Sequence, residues 1–129
     1  MAVVIEDVGE LLALSRAIYS SKFDLPEGVA DDLLASPLLA AVARRIDDAL
    51  GTHPDLIGSP THARNHAAWH DATAHGPHVL ERVRALRGRV PGWAERSVDE
   101  RERILADALA PLTMPADDLR EMALAPIPE

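Results

Sequence analysis

The sequence predicts an all-α fold, a single domain built as an irregular bundle of five to seven helices. Apolar residues recur at spacings of three and four along most of the chain, no alternating β pattern is visible, and several glycines follow helical segments. With 129 residues, of which 47% are hydrophobic and 26% charged, the chain has the size and composition of one globular domain.

The N-terminal half contains three segments with helical signals. The apolar spacing predicts an amphipathic helix over residues 4–20. The tetrad "DLPE" is typical of a helix start, with Asp24 as the cap and Glu27 three residues later. A further helix should begin after Ser36 and end at Gly51. Its predicted buried face comprises Leu39, Val42, Ile46 and Leu50.

Four more helices are predicted in the C-terminal half. The first is capped by Ser59 and ends before Gly76, and the shorter segment "PHVLERVRALRG" follows it. A capping box of Ser97 and Glu100 opens the third, and the fourth extends over about residues 115–124. The predicted inward-facing residues of the two middle helices are Val79, Leu80, Val83, Leu86, Ile104, Leu105, Ala108 and Leu109.

The helical domain is therefore expected to span residues 1–124, with residues 125–129 as a flexible tail. The acidic start "MAVVIEDVGE" lacks the basic region of a secretory signal, and no apolar run approaches the length that crosses a membrane. The chain also contains no cysteine. These features predict a cytoplasmic protein with no membrane span, no disulfide and no thiolate metal site.

Charge is unevenly distributed along the chain, which carries −8 in total. Residues 1–60 have ten acidic and four basic side chains (−6), residues 61–96 have three and six (+3), and residues 97–129 have eight and three (−5). The acidic total and the absence of recognisable binding motifs make nucleic acid an unexpected partner.

A basic run lies within the positive middle segment and comprises Arg82, Arg84, Arg87 and Arg89. One interpretation is a solvated helix face whose charge is partly neutralised by the acidic flanks. The other is a patch that binds an anion or an acidic protein partner beside His75 and His78.

Five of the six histidines lie in the segment "THARNHAAWHDATAHGPH", residues 61–78. If residues 60–75 are helical, three of these histidines form one stripe, because each step of four residues advances about 40° around the axis. The stripe consists of His62, His66 and His70, with Trp69 and Thr73 on the same side. The charged face opposite consists of Arg64, Asp71 and His75. Because the inward face lacks Leu, Ile and Val, we expect it to have a chemical use.

Two histidines four residues apart on a helix can bind one metal ion. His62 and His70 would lie about 12 Å apart along the axis, so one ion should take an adjacent pair rather than all three. Carboxylates from another helix would complete the site, and the candidates are Glu6, Glu10, Asp47 and Asp48. One interpretation is thus a site for one divalent transition metal: zinc, nickel, cobalt or iron. The other is a loosely buried helix whose histidines are partly exposed or hydrogen-bonded within the core, with no cofactor specified.

Three functions are consistent with these patterns. The leading hypothesis is a small binding or accessory protein whose small-molecule ligand or acidic partner meets the histidine-rich helix and the adjacent Arg-rich helix. The second is a small metal-dependent or histidine acid–base enzyme, and the third is an assembly subunit with incidental histidines. The predicted ligand-binding residues are Trp69, Thr73, His75, His78, Arg82 and Arg89, and the predicted metal ligands are His62, His66 and His70.

We predict that residues 62–78 form a pH-responsive patch. Since histidine ordinarily has a pKa of about 6.5, full protonation of the five rings would take the charge of the middle segment from +3 towards +8. An NMR titration should find at least two of the five rings changing protonation state between about pH 5 and 8. Rings that all stay neutral down to about pH 5 would indicate burial instead.

Overall fold

A computed structural model describes residues 3–26 and 28–127, and in this part of the chain the all-α prediction is confirmed. The seven α-helices are α1 Val8–Phe23, α2 Asp31–Leu34, α3 Pro37–Gly51, α4 Pro60–His70, α5 Pro77–Leu86, α6 Val98–Leu109 and α7 Ala116–Leu124. Short 3₁₀ turns occupy Ala72–His75, Arg87–Arg89 and Trp93–Glu95. Within the described ranges there is no strand, and an isolated parallel bridge joins Asp71 to Thr113.

Two groups of buried apolar side chains hold the helices together. The larger group lies among α5, α6 and α7, and includes Val83, Leu105 and Met122. The smaller group joins α1 to α3, with Leu11 and Ile46 at its centre. Each large apolar side chain buried in this way stabilises the fold by about 1.5–3 kcal/mol. None of the helices in the described part of the chain is long and apolar enough to cross a bilayer.

The three serine capping signals of the sequence are confirmed. Ser36, Ser59 and Ser97 each accept a hydrogen bond from the main-chain N–H three residues later, at 3.0, 3.2 and 3.2 Å. The buried faces predicted for α5 and α6 are also confirmed, although Leu80 and Ile104 are only half-buried.

Two predictions about the N-terminal helices are wrong. The helix expected from residue 4 begins at Val8, because the Asp7 side chain accepts from the Glu10 N–H at 3.1 Å and caps the helix there. Asp24 does not start a helix. It ends α1, and its N–H donates to the Ser20 carbonyl at 3.1 Å. Glu27, expected to complete the capping signal, lies outside the described residues.

The expected buried face of α3 also needs one correction. Val42 is 42% exposed, and Ala43 is buried in its place. Helix α3 packs against both α1 and α6, so its buried surface follows two neighbours rather than one apolar stripe.

The loop after α1 is held by Arg82, which is only 4% exposed. Its guanidinium donates to four main-chain carbonyl oxygens, those of Lys22, Leu25, Pro26 and Val29. A cation that satisfies these carbonyls allows the chain to leave the helix at this point without exposing them to water. The interpretation of the basic run as a solvated face is therefore wrong for Arg82.

Arg87 has a similar role at the end of α7. It is also 4% exposed, and its Nη1 donates to the carbonyls of Met122 and Ala125 at 2.9 and 2.8 Å. The start of the expected tail, Ala125, is thus hydrogen-bonded to the body of the protein, while residues 128–129 lie outside the described residues.

Lys22, the sole lysine of the chain, is completely buried. Its Nζ donates to the carbonyls of Asp107 and Ala110 at 2.7 and 2.6 Å, and this connects α1 to the end of α6. Burial lowers the pKa of Lys22 to about 7, although the nearby Asp107 carboxylate acts in the opposite direction.

We predict that Lys22 makes the stability of the protein rise with pH above neutrality. The unfolded chain, with a lysine pKa of about 10.4, binds more protons than the folded chain between that value and the folded pKa of about 7. The free energy of unfolding should therefore increase over this interval, and the Lys22→Met variant should lack the increase. Denaturation of both proteins at several pH values, together with NMR of the single lysine Cε, measures the effect. A wild-type-minus-variant difference that does not change with pH would contradict it.

Candidate metal centre

Helix α4 is joined to the rest of the protein by polar groups and by Trp69, which packs against the larger apolar group. The alanines of α4 are exposed, and the one residue of this helix that is buried is His70. The main-chain N–H of Thr113 donates to the His70 carbonyl at 2.6 Å, and the N–H of Ala72 donates to the Thr113 carbonyl at 2.9 Å. The C-terminal end of α4 is thereby attached to the segment between α6 and α7.

Helix α4 ends at His70, so the prediction of one helix over residues 60–75 is wrong beyond that point. Asp71 is extended, and its carboxylate accepts from the Thr73 N–H at 2.9 Å and from the Thr73 hydroxyl at 2.6 Å. These bonds compete with helix continuation and start a 3₁₀ turn instead. They also lower the pKa of Asp71.

This break moves two predicted residues away from their expected positions. Thr73 is exposed and hydrogen-bonded to Asp71, so it does not lie beside the histidine stripe. His75 was expected on the solvent face but is half-buried. Its Nε2–H donates to the Trp69 carbonyl, and its ring centroid lies 5.1 Å from that of Tyr19.

Helices α3 and α4 bring one carboxylate and two imidazoles together. The donor atoms of Asp47, His66 and His70 all lie within 4.8 Å of one another. His66 Nε2 is 3.5 Å from Asp47 Oδ1, and His70 Nε2 is hydrogen-bonded to the same oxygen. We call these three residues the Asp–His–His triad. The triad contains the adjacent pair His66 and His70, and Asp47 is one of the four carboxylates named from the sequence as candidate ligands.

The two histidines of the triad have opposite protonation preferences. His70 donates its Nδ1–H to the His66 carbonyl, and its Nε2 faces Asp47, so both ring nitrogens are engaged. The hydrogen bond with Asp47 is the main cause that raises the pKa of His70, whereas burial lowers the pKa of His66. The protonated form of His70 is therefore favoured beside Asp47, and the neutral form of His66 is favoured.

His62 lies one helical turn from the triad rather than within it. Its ring centroid is 5.4 Å from that of His66. Its Nε2 is buried and has no hydrogen-bond partner among the described residues. Such an atom is costly to leave unpaired, so a polar partner would stabilise it.

The triad forms part of the wall of a cleft of about 370 Å³ between α1, α3 and α4. His62 also lines this cleft, and so do Leu12, Ser15, Arg16, Leu50, Asn65 and Trp69. The lining therefore combines polar groups, which include the metal-binding type of donor, with apolar side chains.

Comparison of the chain with known protein families, with characterised proteins and with solved structures found no significant match. The interpretation of the cleft therefore rests on its own residues.

The structure separates the predicted ligand-binding residues. Trp69 lines the cleft, whereas His78 is exposed and lies 3.4 Å from the Tyr19 hydroxyl. Arg82 is directed at main-chain carbonyls and Arg89 forms an ion pair with Asp31, so neither belongs to this cleft. The sequence signals did not select Arg16, Ser15 or Asn65, because their proximity to the histidines depends on how α1 and α4 pack.

Proposed function

We propose that the protein binds one divalent transition-metal ion through Asp47, His66 and His70, and that the bound ion has a coordination position open to the cleft. The observation that carries this proposal is the convergence of the three donor atoms, within 4.8 Å of one another, from two different helices. The leading and second sequence hypotheses, a binding protein and a metal-dependent enzyme, both share this site.

The donor set suits zinc, cobalt, nickel or iron. Bonds of 2.0–2.2 Å in a tetrahedral site place two donors about 3.4 Å apart, and Asp47 Oδ1 and His66 Nε2 are separated by 3.5 Å. Two imidazoles and one carboxylate leave at least one position for an exogenous ligand. The Nδ1–H of His70 donates to a main-chain carbonyl, which is the usual second hydrogen bond of a histidine that binds metal through Nε2.

Metal binding at this site is an exchange of a proton for an ion. Metal binding through Nε2 of His70 would require loss of any proton on this nitrogen, and Nε2 and the Asp47 oxygen would have to move apart to hold an ion between them. His66 needs no deprotonation at neutral pH, because burial already lowers its pKa. The apo protein thereby keeps the donors close together without an uncompensated charge.

We predict zinc binding with a stoichiometry near one, which the substitutions His66→Ala and His70→Ala together abolish. His66→Ala alone should weaken zinc binding at least about tenfold, because it removes a donor and leaves the His70–Asp47 bond intact. Asp47→Asn should have a similar effect. Calorimetry on protein purified without an affinity tag, with zinc, nickel and cobalt in turn, measures these affinities. Circular dichroism verifies that the helices persist, since alanine favours helix.

Two matched controls belong to this experiment. Asp48→Asn changes the adjacent carboxylate, which is exposed and is not part of the triad. His53→Ala changes a histidine whose Nε2–H donates to the Glu6 carbonyl at 2.7 Å, away from the triad. Both variants should bind zinc like the wild type. The proposed site would be refuted if none of the three metals gave a heat of binding. It would also be refuted if the variant with both His66→Ala and His70→Ala still bound zinc.

We further predict that zinc affinity falls as pH falls and that the fall begins at a higher pH than for an ordinary histidine site. The raised pKa of His70 means that protons compete for its Nε2 above the usual histidine value of about 6.5. Asp47→Asn removes the hydrogen bond that raises this pKa, so its zinc affinity, although weaker, should begin to fall at a lower pH. Zinc affinities that are constant between about pH 6 and 8 would show that no proton is displaced.

A further inference from the structure

We infer that the cleft beside the triad binds a small carboxylate ligand with an apolar body, which takes the open position of the metal ion and pairs with Arg16. This inference rests on the proposed metal site and specifies the class of molecule that the site takes.

The charge of the cleft favours an anion. Asp47 is the sole acidic residue among those that line it, and its charge is taken up by the ion. A divalent ion, one carboxylate, two neutral imidazoles and Arg16 leave the cleft with a charge of +2. Arg16 is exposed and lines the cleft, and among the described residues no carboxylate forms an ion pair with it.

The hydrogen-bonding groups of the cleft indicate an oxygen ligand. The His62 side chain lines the cleft, and its buried Nε2 has no partner among the described residues. Asn65 on α4 and Ser15 on α1 also line the cleft and add further donors. A carboxylate can bind a metal with one oxygen and accept hydrogen bonds with the other, and arginine is the side chain best suited to pair with it.

The remaining walls favour a carboxylate over inorganic phosphate. Leu12, Leu50 and Trp69 present apolar surface next to the polar groups. A phosphate ion has no apolar part to cover that surface, whereas a carboxylate with an apolar body does. The volume, about 370 Å³, is at the small end of ligand-binding cavities.

Protein loaded with cobalt(II) provides the test, because the visible absorption of the ion reports ligands that enter its coordination sphere. Benzoate, acetate and inorganic phosphate serve as probes. Benzoate should change the spectrum with saturation and should bind more tightly than acetate or phosphate. Arg16→Gln should weaken benzoate binding about ten- to a hundredfold, since a hydrogen bond to a charged group is lost, and should leave cobalt affinity unchanged.

Arg45→Gln is the matched control, because Arg45 is an exposed arginine on α3 that does not line this cleft, and it should bind benzoate like the wild type. His62→Phe, which retains a ring but removes Nε2, should weaken benzoate about two- to tenfold. Phosphate that binds more tightly than benzoate, or benzoate binding unchanged in Arg16→Gln, overturns the inference. If cobalt binds but its spectrum does not respond to any of the anions, the carboxylate inference is wrong and the metal site is retained. If cobalt does not bind, both the metal site and the carboxylate inference are wrong.

Discussion

The hydrogen bond between His70 and Asp47 joins α4 to α3, and the geometry of the candidate site depends on it. Helix α4 buries no aliphatic side chain of its own, so this bond, the main-chain bonds at Thr113 and the packing of Trp69 against the core hold the helix in place. The His70–Asp47 pair is only partly buried, because the Asp47 side chain keeps 25% of its surface exposed at the cleft. The proposed ion binding uses the same two side chains.

The buried lysine and arginines of this protein have an environment different from that of the two triad histidines. Three buried side chains donate to main-chain carbonyls at or after helix ends: Lys22, Arg82 and Arg87. There they take the place of water as hydrogen-bond donors. His66 and His70 instead meet a carboxylate at the wall of a cleft. The first arrangement completes the hydrogen bonding of the chain, while the second leaves lone pairs and space for a ligand.

The features that depend on neighbours in sequence could be predicted. The serine caps and the His66–His70 pair are set by spacings of three and four residues, which the helix itself turns into proximity. The sequence could not predict which of the four carboxylates lies beside the histidines. That depends on how α3 is placed relative to α4, and no local sequence pattern determines this placement. The break at Asp71 had a local signal, since Asp and Ser/Thr side chains cap turns, but the helical spacing of the surrounding histidines obscured it. Arg82 was misassigned because its carbonyl partners lie more than fifty residues earlier.

The most direct test of the metal centre is a crystal structure of the zinc-loaded protein, with the ion located by its anomalous scattering. The proposed site requires a single strong peak about 2.0–2.2 Å from Nε2 of His66, Nε2 of His70 and a carboxylate oxygen of Asp47. His70 Nδ1 should still donate to the His66 carbonyl, and a non-protein ligand should occupy the position that faces the cleft. A peak at His75 or His78, or zinc bound without Asp47, would contradict the proposed centre.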